Sequence, residues 1–190
     1  MSQKEKMKED LLNDINSYFY QFVYIKDINK VSMDIDNYKT EMQNAPNFKL
    51  IIECALYDSL TMALARLYDK SKEAKTIPKL IEKCKNNISL FPDEKDTLEH
   101  LKEFEDKIAK DEFASKAIEV LTERRDTMYA HNDKKFFGPK VVKDTTYLPM
   151  YNIWILINFT EEVLNYLFSQ LSSKEQMKTK YDGDLKNLFK

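Results

Sequence analysis

An arginine pair, an aspartate and a histidine within one short stretch are the residues of this sequence best suited to chemistry. The stretch is Leu121-Thr122-Glu123-Arg124-Arg125-Asp126-Thr127-Met128-Tyr129-Ala130-His131-Asn132-Asp133. An imidazole with an ordinary pKa of about 6.5 exchanges protons near neutral pH. It can serve as general base or acid, an effect of about 10²–10⁴-fold. A guanidinium stays charged and grips phosphate oxygens in a planar fork. Of 30 Lys+Arg residues only Arg66, Arg124 and Arg125 are arginine, so two adjacent arginines stand out in a chain that otherwise uses lysine. Asp126 can orient Arg125 or His131. Spacing alone also allows ordinary roles. An arginine pair on a helix forms surface ion pairs, and a histidine near a helix C-terminus bonds the last carbonyls.

Helix geometry limits what this stretch can do by itself. At about 1.5 Å of rise per residue, Arg125 and His131 stand roughly 9 Å apart along a straight helix and about 120° apart around it. Arg124 and His131 share a face but differ by roughly 10 Å in height. One helix therefore cannot close both groups on one phosphate. Two such helices packed antiparallel across a twofold axis can bring one chain's arginine to the other's histidine. A C2 homodimer with this helix at the interface is one arrangement that would satisfy the geometry. Lys134, Lys135, Lys140 and Lys143 follow in a polar loop, where they either attract RNA to the rim or are simply solvated.

The other candidates have plainer readings. Arg66 and Asp69 are three apart on a helix, so an intrahelical or interhelical ion pair is expected. Asp34 and Asp36 should be solvated, and His100 should lie on the surface. Tyr18, Phe19, Tyr20, Phe22 and Tyr24 suit core or dimer packing better than base stacking. Trp154 should anchor the core. Cys54 and Cys84 are 30 residues apart without a CxxC, and there are only two histidines. A structural zinc site needs about four close ligands, so no metal is expected and both thiols should be free and buried. No glycine-rich phosphate loop exists, and no cofactor is expected.

The elements that must position the stretch are helical. With only 2 Gly and 5 Pro, the chain has little punctuation for strands and turns. Helical spacing of apolar residues predicts a helix over 4–28, a loop or short helical piece over 29–45, and a helix from Pro46 to about Asp69. A short helix follows from Ile77 to Cys84, another from Asp93 to about Ile108, the key helix over 111–132, and a last long one from about Pro149 to Ser172. Between the last two, Asp133 to Pro149 is a break that can hold a small extended piece at Phe136–Phe137 or Val141–Val142. The fold class is all-α, a bundle with an antiparallel four-helix core plus short extra helices. One domain spans 1–172, and 173–190 is a charged tail with room for one short helix at Asp184–Phe189. The net charge of −2 lacks the basic excess of a general nucleic-acid binder, so RNA would need a local patch. No signal peptide is evident, and the most apolar stretch, Leu148 to Leu167, is interrupted by Asn152, Asn158, Glu161 and Glu162. A cytoplasmic protein without a membrane span is expected.

The Arg125-Asp126-(x)4-His131 pattern resembles the R-x(4–6)-H signature of the HEPN superfamily. The ending Tyr129-Ala130-His131-Asn132-Asp133 is similar to the AbiU-type branch, associated with phage abortive infection. A second block agrees: Tyr57-Asp58-Ser59-Leu60-Thr61-Met62-Ala63-Leu64-Ala65-Arg66-Leu67-Tyr68-Asp69-Lys70 resembles that branch's helix ending in Arg-Leu-x-Asp, followed by Ile77-Pro78-Lys79-Leu80. The resemblance covers about residues 5–170. It implies a metal-independent endoribonuclease that works as a dimer with a composite cleft, acting in phage defence or as a toxin held by an antitoxin protein. Its catalytic set would be Arg124, Arg125, Asp126 and His131. HEPN domains that bind RNA, a nucleotide or a protein without cleavage also exist, and the same residues are compatible with that role.

Overall fold

In a computed structural model, residues 2–126, 148–172, 180–183, 185 and 187 are described. Helix α1 spans Gln3–Asn37, a 3₁₀ turn spans Glu41–Asn44, and α2 spans Pro46–Leu67. Then come α3 (Ile77–Asn86), a 3₁₀ turn at Ile88–Leu90, α4 (Glu94–Lys110), α5 (Glu112–Arg124) and α6 (Met150–Leu171). No strand occurs among the described residues, and none of the described helices is long and apolar enough to cross a membrane. The all-α bundle expected from the sequence is the observed fold.

Local chemistry sets the helix starts. Ser2 and Glu5 form a reciprocal capping box at α1. Pro46 occupies the first turn of α2, where its missing N–H costs nothing. Asp93 and Asp111 accept backbone N–H groups at the starts of α4 and α5. Thr76 holds the cap position of α3, but its side chain makes no capping bond.

Helices α1, α2, α5 and α6 form the central layer, and α3 and α4 pack outside it. Helix α1 runs antiparallel to α6, with Phe19 edge-on to Phe168, Lys26 paired to Glu161, and Trp154 bonded to Asn29. The opposite polarity of α2 follows from its contacts with α6, Tyr57 to Leu148 and Tyr68 to Thr160. Ile15, Leu64, Leu101, Ile153, Val163, Leu164 and Leu167 are fully buried between them. Each contributes about 1.5–3 kcal/mol by leaving water.

Four expectations are corrected here. Helix α1 does not stop near residue 28 but runs on to Asn37. Ile28 and Ile35 prolong its buried stripe, and its polar residues hold the C-terminal segment. Asp27 accepts the backbone N–H groups of Lys180 and Tyr181, and Asp34 accepts the Tyr181 hydroxyl at 2.7 Å. Asp34 is thus a docking group and not a solvated acid, and Gly183 turns the segment beside it with φ 85°. Trp154 is 41% exposed, because its indole N–H finds Asn29 at the edge of α1 and would find nothing in the apolar interior. Cys54 is exposed, since it falls on the outward stripe of α2. Of the aromatic run, Tyr18, Phe19 and Phe22 are buried while Tyr20 and Tyr24 face out. The expected piece at 136–137 or 141–142 lies outside the described residues, as does most of the expected helix at 184–189.

The two thiols should therefore behave differently. Burial pushes the Cys84 thiol up to about 12, which suppresses the reactive thiolate. A thiol reagent added to dilute, native protein is expected to modify Cys54 alone, and Cys84 only after unfolding. Mass spectrometry counts the labels; two on the native chain would contradict the buried position of Cys84.

Candidate active site

The end of α5 carries the arginine pair to two carboxylates about three helical turns apart, Asp58 on α2 and Asp69 just past its end. Arg124 is the last α-helical residue, and the chain continues through Arg125 and Asp126 in a wider, π-type turn. The Arg125 N–H is shared between the carbonyls of Leu121 and Thr122. Turns of this kind inside helices often mark functional sites. Successive helical residues point about 100° apart, so the two guanidinium groups leave the helix in different directions.

Arg124 reaches Asp58 in the middle of α2, with an Nη2 to Oδ1 distance of 3.1 Å. Its guanidinium lies over the Tyr57 ring, 5.0 Å from the centroid, a cation–π arrangement. Arg125 reaches Asp69, just past the end of α2, at 2.5 Å, and its own neighbour Asp126 at 2.6 Å. The Arg125 hydrogen bond holds the Asp69 carboxyl below the usual carboxylate range, against a smaller opposing effect of burial. Asp69 in turn raises the Arg125 pKa further above its ordinary value. The Arg124 side chain is 11% exposed and that of Arg125 21%. Both are thus more shielded and better fixed than ordinary surface pairs, which are worth about 0–1 kcal/mol.

The start of α6 is tied to the same place. The Tyr57 hydroxyl donates to the Leu148 carbonyl and accepts the Leu148 N–H, each at 3.0 Å. Both flanks of residues 127–147 are therefore anchored at Tyr57-Asp58, one turn of α2. His131, Lys134, Lys135, Lys140 and Lys143 belong to that span and lie outside the described residues.

Of the predicted site residues, the structure pairs Arg125 with Asp126, while Arg124 turns to Asp58 instead. Of the intrahelical and interhelical ion pairs expected for Arg66 and Asp69, the structure shows the interhelical one, Arg125–Asp69. Asp69 lies beyond the last residue of α2, and this loss of helical spacing frees it for α5. Sequence reasoning missed that Asp58 and Asp69 are the partners of the arginines. The signal was present, because both belong to the Tyr57–Lys70 block, but nothing local says which cation each acid meets. His100 is half-buried, stacked on Tyr166 at 4.7 Å, with its Nδ1 3.0 Å from the Asp96 carbonyl. It lies on α4, outside this constellation. Among the described residues, no group of three or more His, Cys, Asp or Glu is placed to hold a metal ion.

An all-α bundle with an Arg-Arg-Asp turn ending its fifth helix, six residues ahead of a histidine, is the layout of a HEPN-type domain. The chain belongs to the AbiU2 family of HEPN domains, whose family model matches residues 10–187. It is a HEPN-type abortive-infection module. No curated protein and no solved structure matches the chain.

Proposed function

We propose that this chain is a metal-independent endoribonuclease acting in phage defence or as a toxin, with its cleavage site assembled across a homodimer. The carrying observation is the pair of guanidinium groups held in fixed, partly shielded positions at the end of α5, shortly before His131 in the sequence. In this reading His131 takes the proton of the RNA 2′-hydroxyl. The 2′-oxygen then attacks the adjacent phosphorus and the P–O5′ bond breaks, leaving a 2′,3′-cyclic phosphate and a 5′-hydroxyl whose oxygen takes a proton from the imidazolium or from water. Arg124 and Arg125 balance the charge that grows on the phosphoryl oxygens, the electrostatic effect on which such reactions most depend. Asp126 fixes Arg125. Lys134, Lys135, Lys140 and Lys143 draw RNA to the rim, and an antitoxin protein would restrain the activity in the cell.

A second subunit has a surface to occupy. Phe48, Ile51, Cys54 and Ala55 form an exposed stripe along α2, with Ile51 66% exposed. The stripe runs straight on to Asp58, the partner of Arg124. A twofold neighbour seated there would lie next to the arginine site.

The test is expression of the wild type beside His131→Ala, with purified protein incubated with RNA in the presence of a chelator. Growth arrest and chelator-resistant cleavage are expected from the wild type, and neither from the variant. Equal growth and intact RNA with both would reject the reading. The carboxylates already bound to both arginines favour one alternative, a module of the same fold that binds RNA, a nucleotide or a protein without cleavage. Binding without cleavage in the same experiment would select it.

A further inference from the structure

The third arginine of the chain stands between the other two. Arg66 sits in the last turn of α2, and its side chain is exposed. It lines two cavities. One, of about 310 Å³, includes Asp58, Ser59 and Tyr24. The other, of about 430 Å³, includes Asp69, Ser17, Gln21 and Lys75. The first contains the carboxylate that holds Arg124, and the second the carboxylate that holds Arg125. All three arginines of a lysine-rich chain thus meet along the C-terminal half of α2, although Arg66 is 58 residues before Arg124 in sequence.

The three differ in what occupies them. Arg124 and Arg125 are paired with Asp58, Asp69 and Asp126, whereas Arg66 forms no ion pair among the described residues. Arg66 adds a positive charge beside the three carboxylates that Arg124 and Arg125 face, in a cavity that Lys75 also lines.

We propose that Arg66 grips a phosphate of single-stranded RNA beside the scissile one, as the strand crosses the end of α2 from one cavity to the other. This rests on the endoribonuclease reading. The guanidinium fork takes two phosphate oxygens at once, a geometry that lysine cannot offer. Ser17 and Gln21 lie in the larger cavity, where their hydroxyl and amide can meet ribose or base edges. Arg66 is a binding and positioning residue, and it does not touch the reacting atoms.

The test uses a 2′-O-methylated RNA of about 12 nucleotides, a length typical of single-strand sites, which lacks the attacking hydroxyl. Binding is measured by fluorescence anisotropy over a salt series for the full chain, Arg66→Gln, Arg66→Lys and Lys102→Gln. Lys102 is exposed on α4, outside both cavities, and controls for the loss of one charge. Arg66→Gln is expected to weaken binding about tenfold and to flatten the log–log salt dependence by about 0.7, one phosphate contact on a single strand. Arg66→Lys should restore the slope but only part of the affinity. With cleavable RNA the loss should appear in KM and not in kcat. If Arg66→Gln binds like Lys102→Gln while the wild type cleaves, this proposal falls and the endoribonuclease reading stands. A wild type that binds without cleaving rejects the nuclease reading and leaves Arg66 to be judged on affinity. A wild type that neither binds nor cleaves RNA ends both.

Discussion

Mixing a His131→Ala protein with an Arg125→Ala protein should restore RNA cleavage that neither variant has alone. Each variant on its own lacks one member of every site, and losing the proton-transfer group should cost about 10²–10⁴-fold. In a composite dimer the mixed species holds one site with both lesions and one with none. If subunits exchange at random, half the dimers are mixed, and about a quarter of all sites are intact. Recovery to about a quarter of the wild-type rate, growing at the pace of subunit exchange, is the expected time course. In the proposed dimer, Arg125, held by Asp69 of its own chain, would meet the histidine of the other subunit. No recovery after full exchange, from two variants each folded and dimeric, would show that each subunit is self-sufficient or that cleavage has another source.

If the proposed dimer forms through the exposed stripe of α2, the substitution Ile51→Glu should convert it to monomers and remove the proposed cleavage without unfolding the chain. Ile51 is among the most exposed apolar residues of α2, so a carboxylate there meets water in the isolated subunit and breaks no core contact. In a twofold interface the same change occurs twice. Burial of an isoleucine contributes about 1.5–3 kcal/mol, so losing two costs about 3–6 kcal/mol. That corresponds to a dissociation constant raised roughly 10²–10⁴-fold. From Ile51 to Asp58 is about two helical turns, roughly 10 Å, which explains why an interface here and the Arg124 site should fail together. Sedimentation measures the association state, circular dichroism the fold, and a cleavage assay the site. A variant that remains dimeric and active would place the interface elsewhere. Cys54 reports independently, because a neighbour on this stripe would protect it from thiol reagents that reach it in the monomer.

Much of the architecture could be read from apolar spacing. Pro46 and Asp93 fix their helix starts by local chemistry, and these fell where expected, as did the bounds of α6. The errors share a cause. The C-terminal part of α1 packs through Ile28 and Ile35, and its Asp27 and Asp34 bind Tyr181, about 150 residues away in sequence. Polar residues that bind a distant backbone look the same, in sequence, as polar residues of a loop. Trp154 and Cys54 were misplaced because residue type says how much a side chain gains from burial, but not which stripe of its helix faces inward. At the site, Arg124, Arg125 and Asp126 were visible from composition and adjacency. Asp58 and Asp69 were not, since the acids that clasp a cation are chosen by how α2 and α5 cross.

The loose winding at Arg125 and Asp126 has a consequence for direction. A π-type turn takes up one residue more per circuit than the α-turns before it. The chain therefore leaves Asp126 with a different rotation from that of an unbroken α-helix, while Arg124, still in the α-winding, keeps its hold on Asp58.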